Sequence, residues 1–352
     1  MTTATIINYL LALTPVLILL AAFAWLDIFH LLSARAISAL ILLGGIAAGL
    51  SYPLSGRMLD ALPLGFSTYS RFVAPWTEEA LKGFMVVTLF VTNRVGFKID
   101  AALSGLAIGA GFALVENIIY LTHVPYLSPG VWLVRGAGTA VMHGGTVAIM
   151  ASLSHQFSEH DLLIRAGEWR LHPLAFVPGY LLAVVLHTGF NQFPSQPLIA
   201  MALSMVLVPV AMIAIFSFGA REACTLLKIE REEHLADQPA LEDGTWPESD
   251  SGRRLREFVD TRPNDPALVA TILEYWRILG QTVLSAERRM IERTNGERLD
   301  REAALDHERL HRLAALERDL DHATLRAVKK LLPFSRNDLW EIAELRQQLH
   351  RK

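Results

Sequence analysis

Apolar residues run in long blocks through the first part of the chain, and seven blocks have the length of a bilayer-spanning helix: 6–25, 37–53, 72–92, 101–122, 131–152, 174–190 and 198–219. A helix rises 1.5 Å per residue, so about 20 residues cross a hydrocarbon core of roughly 30 Å. The second and sixth blocks are short and the third carries charges, so the pattern predicts about seven spans, with six and eight as the neighbouring counts. From about Arg221 the pattern changes. An acidic stretch with proline and glycine, 235–252, reads as a linker, and helical periodicity over 266–294, over 297–332 and after Asn337 predicts a solvated helical region. Leu299, Leu305, Leu310, Leu313, Leu316, Leu320, Leu325 and Val328 form an apolar stripe there, which suits a small helical bundle or a partner-binding coiled coil. The expected fold is therefore all-α: a polytopic membrane bundle over 1–220, a charged juxtamembrane segment and linker over 221–252, and a cytoplasmic helical region over 253–352.

Composition sharpens this division. Of 352 residues 52% are hydrophobic and 19% charged, outside the usual soluble balance. Residues 1–219 hold nine of the 32 Lys and Arg and nine of the 35 Asp and Glu. A net charge of −3 excludes nucleic-acid binding through bulk positive charge. The single cysteine, Cys224, excludes an intrachain disulfide framework and a thiolate zinc site. The first apolar block lacks the basic flank of a signal peptide and reads as a retained span. Arg35, Arg94, Lys98, Arg165, Arg170, Arg221 and Lys228 lie in alternate connections, whereas 123–130 and 191–197 carry no cation, and only the loop with Arg57 and Arg71 departs from the alternation. The positive-inside rule then places the N-terminus outside and the tail in the cytoplasm.

The candidate chemistry lies in the apolar half, where an ionisable side chain at mid-membrane costs roughly 2.5 to 3.5 kcal/mol. The third block holds Glu78, Glu79 and Lys82, with Glu78 at i+4 and Glu79 at i+3 from the lysine. An ion pair accounts for the lysine and one carboxylate and leaves the other unexplained. In the fourth block Gly105, Gly109, Phe112 and Glu116 fall within about 60° of a helical wheel, so Glu116 faces a closely packed neighbour; Asn117 beside it suits a local hydrogen bond or a site role. The fifth block steps through Arg135, Thr139 and His143, with Gly144 and Gly145 thinning the helix, and the sixth carries His187 and Asn191 four apart. Under the expected orientation both glutamates of the third block, Glu116 and His187 lie toward the outer half of the bilayer. His143 lies deeper unless its helix starts late or tilts.

Carboxylates and neutral imidazoles can activate water for attack on an amide, directly or through zinc. The His-Glu-x-x-His helix and the Gly-x-Ser-x-Gly elbow are both absent, which excludes an ordinary zincin and leaves serine catalysis without support. Glu78-Glu79-x-x-Lys82, Phe112-x-x-x-Glu116, Arg135-x-x-x-Thr139-x-x-x-His143 and His187-x-x-x-Asn191, in this order on successive spans, resemble the motifs of the PrsW family of intramembrane proteases. That family is similar to the CAAX-processing and bacteriocin-processing membrane proteases, whose second motif usually ends in His where this chain has Glu116. The resemblance covers about 70–195 and implies hydrolysis of a membrane-anchored protein within the bilayer, with a bacterial cytoplasmic membrane as the expected location.

By this reading Glu78 and Glu79 contain the base that activates water, with Glu78 preferred for its alignment with Lys82. Glu116, His143 and His187 hold water or a zinc ion, and Asn191 donates to the oxyanion. Lys82, Phe112, Arg135 and Thr139 support the site, and the C-terminal helices recruit a regulatory partner or a second copy. A proton-coupled transporter or channel would use the same carboxylates as relays, and an inactive signalling scaffold would act through its tail. The complete set of three carboxylates and two histidines argues against an inactive core.

Overall fold

The computed structural model describes residues 3–26, 33–124, 126–158, 173–192, 196–261, 265–294, 303–334 and 336–350, and every regular element among them is helical. The described residues form two compact units, one running to Ala220 and the other beginning at Arg221.

The first unit starts with α1 (Thr3–Leu26) and α2 (Ala34–Ala61). Ser33 caps α2 by accepting from the Ala36 backbone N–H at 3.2 Å, the usual way to satisfy an orphan donor of the first turn. The short α3 (Phe66–Phe72) leads into α4 (Ala74–Val91), which begins with Pro75 in its first two positions, where a missing N–H costs nothing. Then follow α5 (Lys98–His123), α6 (Pro129–Leu133), a π-helical turn (Val134–Thr139), α7 (Ala140–Ser158), α8 (Val177–Phe190) and α9 (Pro197–Glu242).

Among the described residues five helices are long and apolar enough to cross a membrane: Thr5–Ala22, Ala34–Ala61, Lys98–His123, Pro173–Phe190 and Pro197–Ile215. The other two expected spans appear as α4, which carries Glu78, Glu79 and Lys82, and as α6, the π turn and α7, which together interrupt regular helix. Only 11% of the Pro197–Ile215 window is buried; so apolar a surface suits lipid and not water. With these helices and the charge segregation, the protein is an integral membrane protein.

At the centre lies α5, buried nearly all round. Its glycine stripe meets α7: a Cβ on Gly105 would lie 2.5 Å from the Val147 carbonyl oxygen, and one on Gly109 would overlap the His143 backbone. On another face Gly111 meets Ile41 of α2, whose own Gly44 meets Ile108. Small residues thus let three backbones approach closely, the packing mode available where lipid removes the hydrophobic drive. Asn117 takes the local role: its amide donates to the Ala12 carbonyl at 3.0 Å and to the Arg135 carbonyl at 3.2 Å, tying α1 and the π turn to α5.

The second unit contains the end of α9, α10 (Asp250–Asp260), α11 (Pro266–Thr294), α12 (Ala303–Asp319), α13 (His322–Leu331) and α14 (Arg336–His350). Leu241, Leu255, Trp276, Leu316, Val328 and Ile342 belong to its shared core. Of the apolar stripe, Leu310, Leu313, Leu316, Leu320 and Val328 are buried, Leu305 is exposed and Leu299 lies outside the described residues. Two expectations change here. The helix expected over 297–332 is two helices, because the Asp321 side chain accepts from Ala323 N at 2.9 Å and Thr324 N at 3.0 Å and starts a new one. The stretch 235–252 read as a linker is helical up to Glu242, and α10 begins at Asp250, leaving 243–249 as the connection.

Candidate active site

Four helices and the π turn carry the candidate site groups of the first unit. Glu78, Glu79 and Lys82 come from α4, Phe112 and Glu116 from α5, Arg135 and Thr139 from the π turn, His143 from α7 and His187 from α8. Asn191 is the C-cap residue of α8. The close α5–α7 approach allowed by Gly105 and Gly109 brings Phe112 and Glu116 against His143. The Phe112 and His143 ring centroids are 4.9 Å apart, and His143 Nε2 is 3.3 Å from Glu116 Oε2.

The deepest part is a network around Glu79. Its Oε1 receives Lys82 Nζ at 2.6 Å, His187 Nδ1 at 2.8 Å and the Thr146 hydroxyl at 3.4 Å. Glu79 and Lys82 have no exposed side-chain surface, so this buried pair depends on the further partners that meet Glu79 Oε1; Glu79 Oε2 is buried and makes no hydrogen bond. Lys82 Nζ also lies 2.9 Å from His143 Nδ1 and 4.5 Å from the centre of the Phe112 ring.

Donor and acceptor rules then fix the tautomers. An ammonium only donates, so His143 Nδ1 accepts and its Nε2–H points to Glu116. A carboxylate only accepts, so His187 Nδ1–H donates to Glu79, which leaves Nε2 as the nitrogen open to a further partner. That Nε2 faces Glu78 Oε2 at 3.8 Å. The two imidazoles meet edge to face, with centroids 4.9 Å apart.

Nearer the surface, Glu116 Oε1 pairs with Arg135 Nη2 at 3.1 Å, and the guanidinium lies over the Tyr120 ring, 3.7 Å from its centre. Glu78, Glu116 and Arg135 retain 14%, 20% and 16% side-chain exposure, against 4% for His187 and 2% for His143. The network therefore opens on the side of these three residues. Thr139 donates its hydroxyl back to the Arg135 carbonyl, closing the π turn that carries the arginine.

One ligand atom from each of Glu78, His143 and His187 lies within 4.8 Å of the other two. The expected ligand set had Glu116 in place of Glu78; the structure places Glu116 between Arg135 and His143 and brings Glu78 to the two histidines. The buried Oε2 of Glu78 makes no hydrogen bond. This orphaned oxygen, together with an imidazole whose Nδ1 is already held by a carboxylate, fits a divalent metal. His143 can join them through Nε2 only as the other tautomer, with its proton carried on Nδ1, and the Lys82 ammonium then no longer donates to that nitrogen.

Asn191 was expected to donate to an oxyanion, but its amide donates to the Ser70 carbonyl at 2.9 Å. Together with the Tyr180 hydroxyl, which donates to the Trp76 carbonyl at 3.0 Å, it fastens α8 beside α3 and α4. By contrast, Arg135 Nε is buried and makes no hydrogen bond. Sequence reasoning passed over Thr146, Tyr120 and Tyr180. Thr146 lies three residues after His143 and Tyr180 seven before His187, both at helical spacing from a site histidine, and that periodicity was the available signal.

A family model described as PrsW family intramembrane metalloprotease matches residues 14–217. No curated protein and no solved structure matches the chain.

Proposed function

The chain belongs to the PrsW family of intramembrane metalloproteases, and from that premise we propose how its buried polar groups divide the work of peptide-bond hydrolysis. The protein is an intramembrane protease, and its substrate is a membrane-embedded protein. The observation that carries the assignment is the unpartnered Glu78 Oε2 facing His187 Nε2, set against a Glu116 already held by Arg135.

Glu78, His143 and His187 would hold the metal, a donor set that suits zinc. Such an ion, when bound, supplies Lewis acidity toward the scissile carbonyl and a nucleophilic water at neutral pH. Glu116 accepts the proton of the attacking water at Oε2 and returns it to the leaving amine; Arg135, which orients Glu116 through Oε1, directs its free Nε–H toward the oxyanion. Glu79, paired with Lys82, holds the His187 imidazole in place through Nδ1. Tight burial of Phe112 against His143 keeps water from the inner face.

A second reading is favoured by the Nε2 proton of His143. Without a metal, Glu78 is the base, as its unpartnered oxygen allows, and His143 with Glu116 positions the water. Turnover of a single-span substrate, measured together with bound zinc, separates the two. In the metal reading Glu78→Gln loses zinc and turnover together, whereas Glu116→Gln keeps zinc and loses about 10² to 10⁴ in rate. Loss of turnover in Glu78→Gln with no zinc in the wild type selects the metal-free reading. Near-wild-type turnover in both variants overturns both.

A further inference from the structure

The second unit contains a buried group of side chains of metal-ligating type that the proposed hydrolysis does not use. His234 lies in the last turns of α9, Glu287 on α11 and Asp338 in the first turn of α14. Their exposures are 3%, 0% and 1%. His234 Nδ1 is 3.3 Å from Glu287 Oε1, and Nε2 is 3.6 Å from Asp338 Oδ2 and 3.3 Å from the Pro333 carbonyl oxygen. One ligand atom from each of the three residues lies within 4.8 Å of the other two. The Phe334 ring covers the imidazole, with centroids 5.0 Å apart.

We propose that His234, Glu287 and Asp338 form a second, structural metal site for a divalent first-row ion such as Zn²⁺, with the Pro333 carbonyl as a further oxygen ligand. Ligand bonds near 2.1 Å in a tetrahedron separate the ligand atoms by about 3.4 Å, close to the 3.6 and 3.3 Å that separate His234 Nε2 from Asp338 Oδ2 and the Pro333 carbonyl oxygen; Glu287, whose Oε1 now meets Nδ1, joins them by a shift of its carboxylate within the 4.8 Å cluster. A protonated histidine bridging the two carboxylates accounts for the same contacts. It leaves one feature unexplained: Glu287 Oε2 is buried and makes no hydrogen bond. Burying a carboxylate so completely is costly unless its oxygens are engaged, and a metal drawing in both carboxylates engages this one. The bound ion clamps α9 to α11 and α14. It thereby makes the order of this unit depend on metal supply.

The test uses the full chain in detergent, with Glu78→Gln and His187→Ala introduced together so that the candidate active-site ligands are removed and no activity is read. After chelation the protein is titrated with Zn²⁺ alone, and bound zinc and the rate of proteolysis within 221–352 are measured. The expected result is about one zinc per chain, with proteolysis slowed by at least about tenfold. Glu287→Gln or Asp338→Asn, added singly, weakens zinc binding by about 10- to 100-fold and abolishes the protection. Zinc held equally well after both changes, or no zinc and no protection in the parent, overturns the proposal; in the latter case His234 is an ion-pair partner only. Neither outcome bears on the membrane site.

Discussion

We propose that Arg135 takes the donor role expected of Asn191, and the exchange is measurable. Asn191 is committed to the Ser70 carbonyl, so Asn191→Ala loosens α8, costing about 1 kcal/mol for one partly buried hydrogen bond and lowering turnover only through His187. Arg135 has a buried donor without a partner and holds Glu116, so Arg135→Gln loses about 10² to 10³ in kcat with membrane insertion and thermal unfolding near those of the wild type. Kinetics and unfolding of the two variants in parallel decide the matter; a larger kcat loss in Asn191→Ala reverses the assignment. The residue types were legible because charge inside an apolar block is expensive, and the helical spacing correctly put Glu116 and Phe112 on one face. Pairings were less legible. Both Glu78 and Glu79 are within reach of Lys82 along a helix, and the choice of Glu79 is made from outside that helix, by His187 and Thr146 converging on the same oxygen.

Among elements, the contact between α5 and α7 is the one on which the site depends. Gly109→Ala places a Cβ on the His143 backbone, which cannot yield without moving α7. Overpacking of this kind costs about 1 to 3 kcal/mol and separates Glu116 from His143, so turnover falls along with the thermal midpoint. Gly49, with nothing within 4 Å of a Cβ, is the control: Gly49→Ala in mid-helix leaves activity intact and adds about 0.4 to 1 kcal/mol. Equal effects of the two changes would show that close packing is not what positions the pair. The glycine stripe was visible in sequence because spacing of four is a surface property of one helix. The π turn was not, since hydropathy over Val134–Thr139 is the same whichever hydrogen-bond register the backbone takes. The break at Asp321 was hidden for a different reason: one capping aspartate among many surface charges carries no distinctive pattern until its acceptance from Thr324 N is seen.

On the scale of the whole molecule, every candidate catalytic group precedes Ala220, the last residue of the first unit, and the second unit has a core of its own. We therefore propose that the tail regulates or recruits, and a chain ending at Ala220 should still hydrolyse a suitable substrate; inactivity of that shorter chain, once shown to be folded, would assign the tail a direct part in chemistry. In sequence the charge switch falls at Arg221, whereas the extent of α9 to Glu242 was obscured by the acidic, proline-containing stretch there. Orientation rests on a separate argument, the placement of Lys and Arg in alternate connections, and the composition makes it directly testable. Because Cys224 is the sole cysteine, Cys224→Ser yields a background free of thiols. Exposed positions on opposite expected sides are Ser128, before α6, and Thr245, after α9. In intact cells a membrane-impermeant thiol reagent should label Ser128→Cys and spare Thr245→Cys, which reacts only after the membrane is opened. The reverse pattern would turn the protein over in the bilayer, and with it the side from which a substrate reaches the opening at Glu78, Glu116 and Arg135.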